Sequence, residues 1–236
     1  MKLKLKKKPK NCKLVQGFPG FGLVGTIASE FLLEHLKFEQ IGNIVANEIP
    51  ATIAIHEGKL VEPLGIFYNK QYNLVLLHAI TASAGIEWAL SEIVLEIIKQ
   101  LKIKEVICLE GVGSSDETAT SRVFFYSNND ANKKKFEKIK AEQLKEGIII
   151  GVTGAVLLKA EKIPISCIFA ETHTSLPDSK AAAKVIEVLD KYLSLKVNYK
   201  PLLVQAEKSE QKLKTILSDT NQAQQLSEQK KLSYVG

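Results

Sequence analysis

No stretch of the 236-residue sequence approaches the ~18–20 consecutive apolar residues that a bilayer-spanning helix needs, so no membrane span is expected. The start, Met1-Lys2-Leu3-Lys4-Leu5-Lys6-Lys7-Lys8-Pro9-Lys10, is basic like the beginning of a signal peptide. No apolar core follows it, which argues against export and for the cytoplasm. Cysteine is scarce: Cys12, Cys108 and Cys167 sit in separate apolar, strand-like runs without a CxxC neighbour. Buried, reduced thiols are therefore expected, not disulfides or metal ligands. His35, His56 and His78 are scattered singly, with no HxxH or HxxxH pair, so a metal site is not expected. Aromatic residues interleaved with basic ones are also missing, which removes a nucleic-acid platform. The net charge is +6, but six lysines fall within the first ten residues. They are read as a solvated, partly frayed tail.

Against these absences, 45% of the residues are hydrophobic and 25% charged, which suits one α/β domain with an appendage. A short strand is expected over residues 12–15, then a helix over 22–37 whose apolar residues Leu23, Val24, Ile27, Phe31 and Leu32 recur at helical spacing. Short β-like runs follow at 41–46 and 51–56, then a hairpin with arms 64–68 and 74–79. A second helix is expected over 84–101. Residues 106–109 form an unbroken apolar run typical of a strand covered on both faces. Further strands are expected at 122–126, 148–152 and 165–170, with a lysine-rich helix over 131–145. Thr153-Gly154-Ala155 reads as a small-residue turn, and a closing helix spans 177–193. Trp88, near a helix start, is expected in core or interface packing.

Such alternation indicates a sheet between helical layers, and the hairpin makes that sheet mixed. After Tyr199-Lys200-Pro201 the composition shifts to Gln, Lys, Glu and Ser. Leu202, Val204, Ala206, Leu213, Ile216 and Leu217 suggest an amphipathic helix there, its heptads too weak for a coiled coil on its own. The expected organisation is a basic tail over 1–10, an α/β domain over 11–198 and a helical extension over 199–236.

Chemistry has two candidate places. Gly17-Phe18-Pro19-Gly20-Phe21-Gly22-Leu23-Val24-Gly25 runs from a strand into a helix, as either a phosphate cradle or a tight structural turn. It lacks the lysine of a P-loop. Gly20, Gly22 and Gly25 match the GxGxxG spacing, but the acid about 20 residues on, Glu48, precedes a proline and not a clean strand end. Phe18 and Phe21 favour packing or partner contact. No cofactor is expected. The second place is the strand ends, where Glu110 and Glu171 lie with His173, Ser114, Ser115, Thr172 and Thr174 nearby. These residues suit acid–base hydrolysis, or else simple capping and surface pairing, since no activated nucleophile is evident.

The glycine motif, together with Glu48-Ile49-Pro50-Ala51, Leu64-Gly65-Ile66-Phe67-Tyr68, His78-Ala79, Leu109-Glu110-Gly111-Val112-Gly113, Thr153-Gly154-Ala155 and Ala170-Glu171-Thr172, resembles archaeal proteins in the family of the second proteasome assembly chaperone. The resemblance covers most of residues 10–195. It implies a three-layer αβα sandwich similar to nucleoside phosphorylases, with Gly154 letting helix and sheet approach closely. It also implies homo-oligomerisation, as a tetramer or pentamer, and a non-catalytic, ATP-independent role in assembling the proteasome core particle. In that family the C-terminal end inserts into pockets on the α-subunit ring through a hydrophobic–Tyr–any-residue signature. Here Tyr234 is third from the end after Ser233, so the pattern is shifted, and Leu232, Tyr234, Val235 and Gly236 are the docking candidates.

Overall fold

The computed structural model describes residues 1–49, 51, 53–56, 58–80, 85–113, 122–160, 162–172 and 177–201. In chain order these form β1 (Lys2–Leu5), β2 (Lys13–Gly17), α1 (Val24–His35), β3 (Glu39–Val45), β4 (Ala54–His56), β5 (Lys59–Val61), β6 (Leu64–Asn69) and β7 (Leu74–Ala79). There follow α2 (Glu87–Leu101), β8 (Glu105–Gly113), β9 (Val123–Ser127), α3 (Asp130–Lys138), β10 (Glu142–Gln143), α4 (Val152–Lys159), β11 (Ile165–Thr172) and α5 (Ser179–Leu193).

Among the described residues nine strands make one mixed sheet in the order β1-β3-β6-β7-β2-β8-β11-β9-β10, and β4 and β5 pair separately as a small ribbon. β7, β2, β8 and β11 run parallel at its centre, and their apolar runs follow from burial on both faces. The hairpin of β6 and β7 supplies the expected antiparallel pairing. One face of the sheet packs Leu14, Leu77, Val106, Cys108 and Phe169 against α2 and α4. The other packs Val15, Leu76, Ile107 and Ile168 against α1, α3 and α5. Residues adjacent in sequence thus serve opposite layers, as the pleat requires. Asp178 caps α5 by accepting from the Ala181 amide. Among the described residues no helix is long and apolar enough to cross a membrane.

Four expectations need correction. The lysine-rich start is not frayed: Lys2–Leu5 is an edge strand paired with β3. Its alternation turns Leu3 and Leu5 towards the core while Lys2 and Lys4 face solvent, and the Met1 ammonium donates to Glu48 at 2.7 Å. The lysine-rich helix ends at Lys138, not Lys145. Lys140 adopts a left-handed conformation at φ 59° and the Ala141 amide returns to the Phe136 carbonyl, a helix-stopping arrangement. Residues 148–151 are not a strand, and Val152 belongs to α4. Ile149 packs inward, whereas Ile148 and Ile150 are 88% and 83% exposed. Thr153-Gly154-Ala155 lies inside α4 and is not a turn. The starting residue of the second expected helix, Ser114, Ser115, His173, Thr174 and the extension from Leu202 onward lie outside the described residues.

Candidate functional site at the carboxyl end of the central strands

β2 runs out at Gly17, and the chain reaches α1 through a single tight turn at Phe21–Leu23. A methyl group on Gly17 would lie 2.1 Å from the Gly25 carbonyl oxygen, and one on Gly25 would lie 2.3 Å from that of Leu109. Gly22 has φ 60°, a conformation glycine adopts without penalty. These glycines press the elbow against the end of β8, which is a steric role. Phe18 is buried beneath the α2 layer and Phe21 is exposed.

Beneath the elbow lies a carboxylate, not a cation. A methyl group on Gly20 would sit 3.1 Å from Glu110 Oε2. A phosphate drawn to this loop would meet like charge whenever Glu110 is ionised. Burial pushes Glu110 up to about 7, against the lowering effect of the Thr153 hydroxyl, which donates to Oε1. Glu48, the acid at dinucleotide spacing, is engaged by the chain's amino terminus.

Glu110 pairs in register with Phe169, and Glu171 lies two residues further along β11. Both glutamates therefore face the α2–α4 side. They have different partners. Glu171 accepts from the Arg122 backbone amide at 3.2 Å and from Nε and Nη2 of the same residue at 3.3 Å. Cys108 and Cys167 are neighbours across β8 and β11, both free and buried. The hydrogen bond with Cys108, together with burial, pushes the Cys167 thiol well up, so it stays protonated and inert. Among the described residues no group of three His, Cys, Asp or Glu side chains is placed to hold a metal ion.

Two buried networks escaped the sequence reading. Ser29 Oγ lies 2.7 Å from His78 Nδ1, and His78 Nε2 lies 2.8 Å from Glu30 Oε2. The three residue types are those of a hydrolytic triad. Ser29 is nonetheless fully buried between α1 and the sheet and donates to the Thr26 carbonyl, so the relay ties α1 to β7 and meets no substrate. At the opposite end of the sheet Glu105, also buried, accepts from Asn132, Ser166 and Tyr192 and pairs with Lys13 at 2.9 Å. Burial, reinforced by Glu105, pushes the Tyr192 phenol up. Its ring continues a stack through Phe136 to Phe125, with centroids 4.1 and 4.7 Å apart. Sequence gave one weak signal for each network: a polar residue inside an apolar stripe, Ser29 in α1 and Glu105 at the start of β8.

The sequence profile of the PAC2 family matches residues 14–217. The chain belongs to the PAC2 family. Over 94% of this chain and 99% of the other, it superposes on Pyrococcus furiosus PbaA, an archaeal homolog of proteasome-assembly chaperone, with TM-score 0.84 and 30% identity. Pyrococcus furiosus PbaB, an archaeal proteasome activator, shares the fold with TM-score 0.75 at 20% identity, over 91% of this chain and 98% of its own. A Methanocaldococcus jannaschii protein, MJ0106, is 27% identical over 207 residues, 86% of this chain and 84% of its own length. The PAC2 match takes in the elbow, both strand-end glutamates and, apart from Lys13, both buried networks, so these belong to the family domain.

Proposed function

We propose that this PAC2 chain is a non-catalytic, ATP-independent assembly chaperone or adaptor for the proteasome core particle, acting in the cytoplasm as a homo-oligomer. The observation that carries this reading is the likeness to PbaA along almost the whole of both chains. The site chemistry supports it. Glu110 and Glu171 each have a partner of their own, and the serine of the Ser29–His78–Glu30 relay is sealed from substrate. The contact with proteasome α subunits is assigned to the tail residues Leu232, Tyr234, Val235 and Gly236. Tails carried together on one oligomer multiply a weak individual affinity by ~10²–10⁴ when their spacing fits the target.

Deleting residues 232–236 tests this directly. Capture of the α-subunit ring by the immobilised protein should be lost while the oligomer's mass is kept; undiminished capture counts against the tail.

A second reading, a nucleosidase-like hydrolase or small-molecule binder using Glu110, Glu171 and His173, is favoured by one observation. A carboxyl group held near 7 at the carboxyl end of a parallel sheet suits acid–base work. It requires hydrolysis of nucleosides by the wild type that disappears in Glu110→Gln, and a wild type without such activity, or a Glu110→Gln protein that keeps it in full, removes it.

A further inference from the structure

Charge on this chain is sorted between the two ends of its sheet. At the amino end of β7, β2 and β8 the connecting segments 6–12, 36–38, 70–73, 102–104 and 194–201 contain lysines and no carboxylate. Lys10, Lys37, Lys70, Lys102, Lys104 and Lys196 are all exposed there, and among the described residues none of them forms an ion pair. The carboxylates at hand are engaged: Glu39 by Lys7, Glu105 by Lys13 and Asp190 by the Val197 amide. Hydrogen bonds join these segments into one surface. Lys10 Nζ donates to the Gln100 carbonyl, Asn73 Nδ2 to that of Asn11 at 3.1 Å and Asn69 Nδ2 to that of Lys37 at 3.2 Å. The Tyr72 hydroxyl donates to the Leu195 carbonyl. α1, α2 and α5 end here, each with about half a negative charge, which cannot cancel that many ammonium groups. Residues 202–236 hold five lysines against four acidic side chains, so they bring no net countercharge. The connections at the opposite end carry Glu48, Glu62 and Asp178 instead. Two of the lysines also occupy costly positions. Lys102 and Lys196 are left-handed, at φ 51° and 55°, where glycine fits better.

We propose that this basic end is a docking surface for an acidic polypeptide, a carboxylate-rich segment of a partner protein. It involves none of the tail residues 232–236, and either contact can fail without the other. The chemistry selects among anions. All of these cations are lysines, and the chain's single arginine, Arg122, is held by Glu171 at the other end, so the surface lacks the planar fork that suits phosphate. Helix carboxyl ends meet the surface, not the amide-bearing amino ends that cradle phosphate. None of the exposed large hydrophobic side chains among the described residues lies in these segments. That leaves nothing to stack on bases or to insert into a bilayer. Flexible ammonium groups spread over several turns suit a diffuse attraction for carboxylates, which speeds encounter and weakens with salt.

The test uses the full chain and a fluorescent poly-L-glutamate peptide, with association followed by stopped-flow anisotropy at low and at physiological salt. Lys37→Glu, Lys70→Glu and Lys104→Glu together should slow association about tenfold and flatten its salt dependence. A control with the same change of charge elsewhere, Lys2→Glu with Lys180→Glu and Lys184→Glu, should lose far less; these three are also exposed. Equal losses in the two variants reduce the effect to net charge and overturn the proposal, as does a wild type that does not bind the peptide. Duplex DNA that binds more tightly than the peptide, and is released in the first variant, assigns the surface to phosphates and overturns it too. Circular dichroism checks the fold of both variants. Should the first fail to fold, Lys102→Gly with Lys196→Gly is measured instead. Relief of the left-handed backbone should raise its melting temperature while the lost charges slow association. Unchanged or faster association in that variant counts against the surface.

Discussion

At Gly17 a side chain has nowhere to go, because the atom it would meet is the Gly25 carbonyl on the backbone, 2.1 Å away. Gly17→Ala should therefore cost about 3 kcal/mol, at the upper end for overpacking, measured as a fall in the urea midpoint. Glu110 gives a pH signature. Its folded value of about 7 lies above the ordinary 4.5, so the folded state holds a proton that the unfolded state releases between those values. Stability from this group is complete below about pH 4.5 and is lost as pH rises through 7. Glu110→Gln should thus leave stability unchanged at pH 4 and raise it at pH 8 by about 1–3 kcal/mol, read from denaturation at the two pH values. Tyr192→Phe removes one donor from the buried Glu105 carboxylate and should cost about 1–3 kcal/mol at neutral pH.

Among the elements, β1 shows how a pattern can be read for the wrong property. Lys2-Leu3-Lys4-Leu5 is conspicuous for its charge, yet its period of two is that of an edge strand, and lysine at such an edge also discourages pairing with further copies. Deleting residues 1–6 should lower the melting temperature by about 4–10 °C. The two half-buried leucines contribute about 1 kcal/mol each, and the edge of β3 loses its partner. Residues 148–150 failed for the converse reason. Three successive isoleucines have strong β propensity, but propensity supplies no neighbouring strand, and here the chain turns through Gly151 at φ 97° into α4. α1, α2 and α5 were legible from a sustained helical period, and the hairpin of β6 and β7 and β11 from short apolar runs bounded by turns.

For the molecule as a whole, the proposed homo-oligomer should show concentration-dependent stability. If association couples to folding, the melting temperature rises with protein concentration, whereas that of a monomer stays constant. A calorimetric series over about a hundredfold range of concentration distinguishes the two.

Periodicity, glycine placement and apolar run length act over a few residues, so the sequence alone determined α1, α2 and α5, the hairpin of β6 and β7 and the mixed character of the sheet. The partners of its charged and polar groups were decided only in three dimensions. Ser29 meets His78 across 49 positions, and Glu105 meets Tyr192 across 87. Sheet register and helix docking set those meetings, and neither leaves a local trace in the order of the residues. The same holds for Glu110 and Glu171, neighbours on one face of the sheet whose carboxylates are nevertheless held by different side chains.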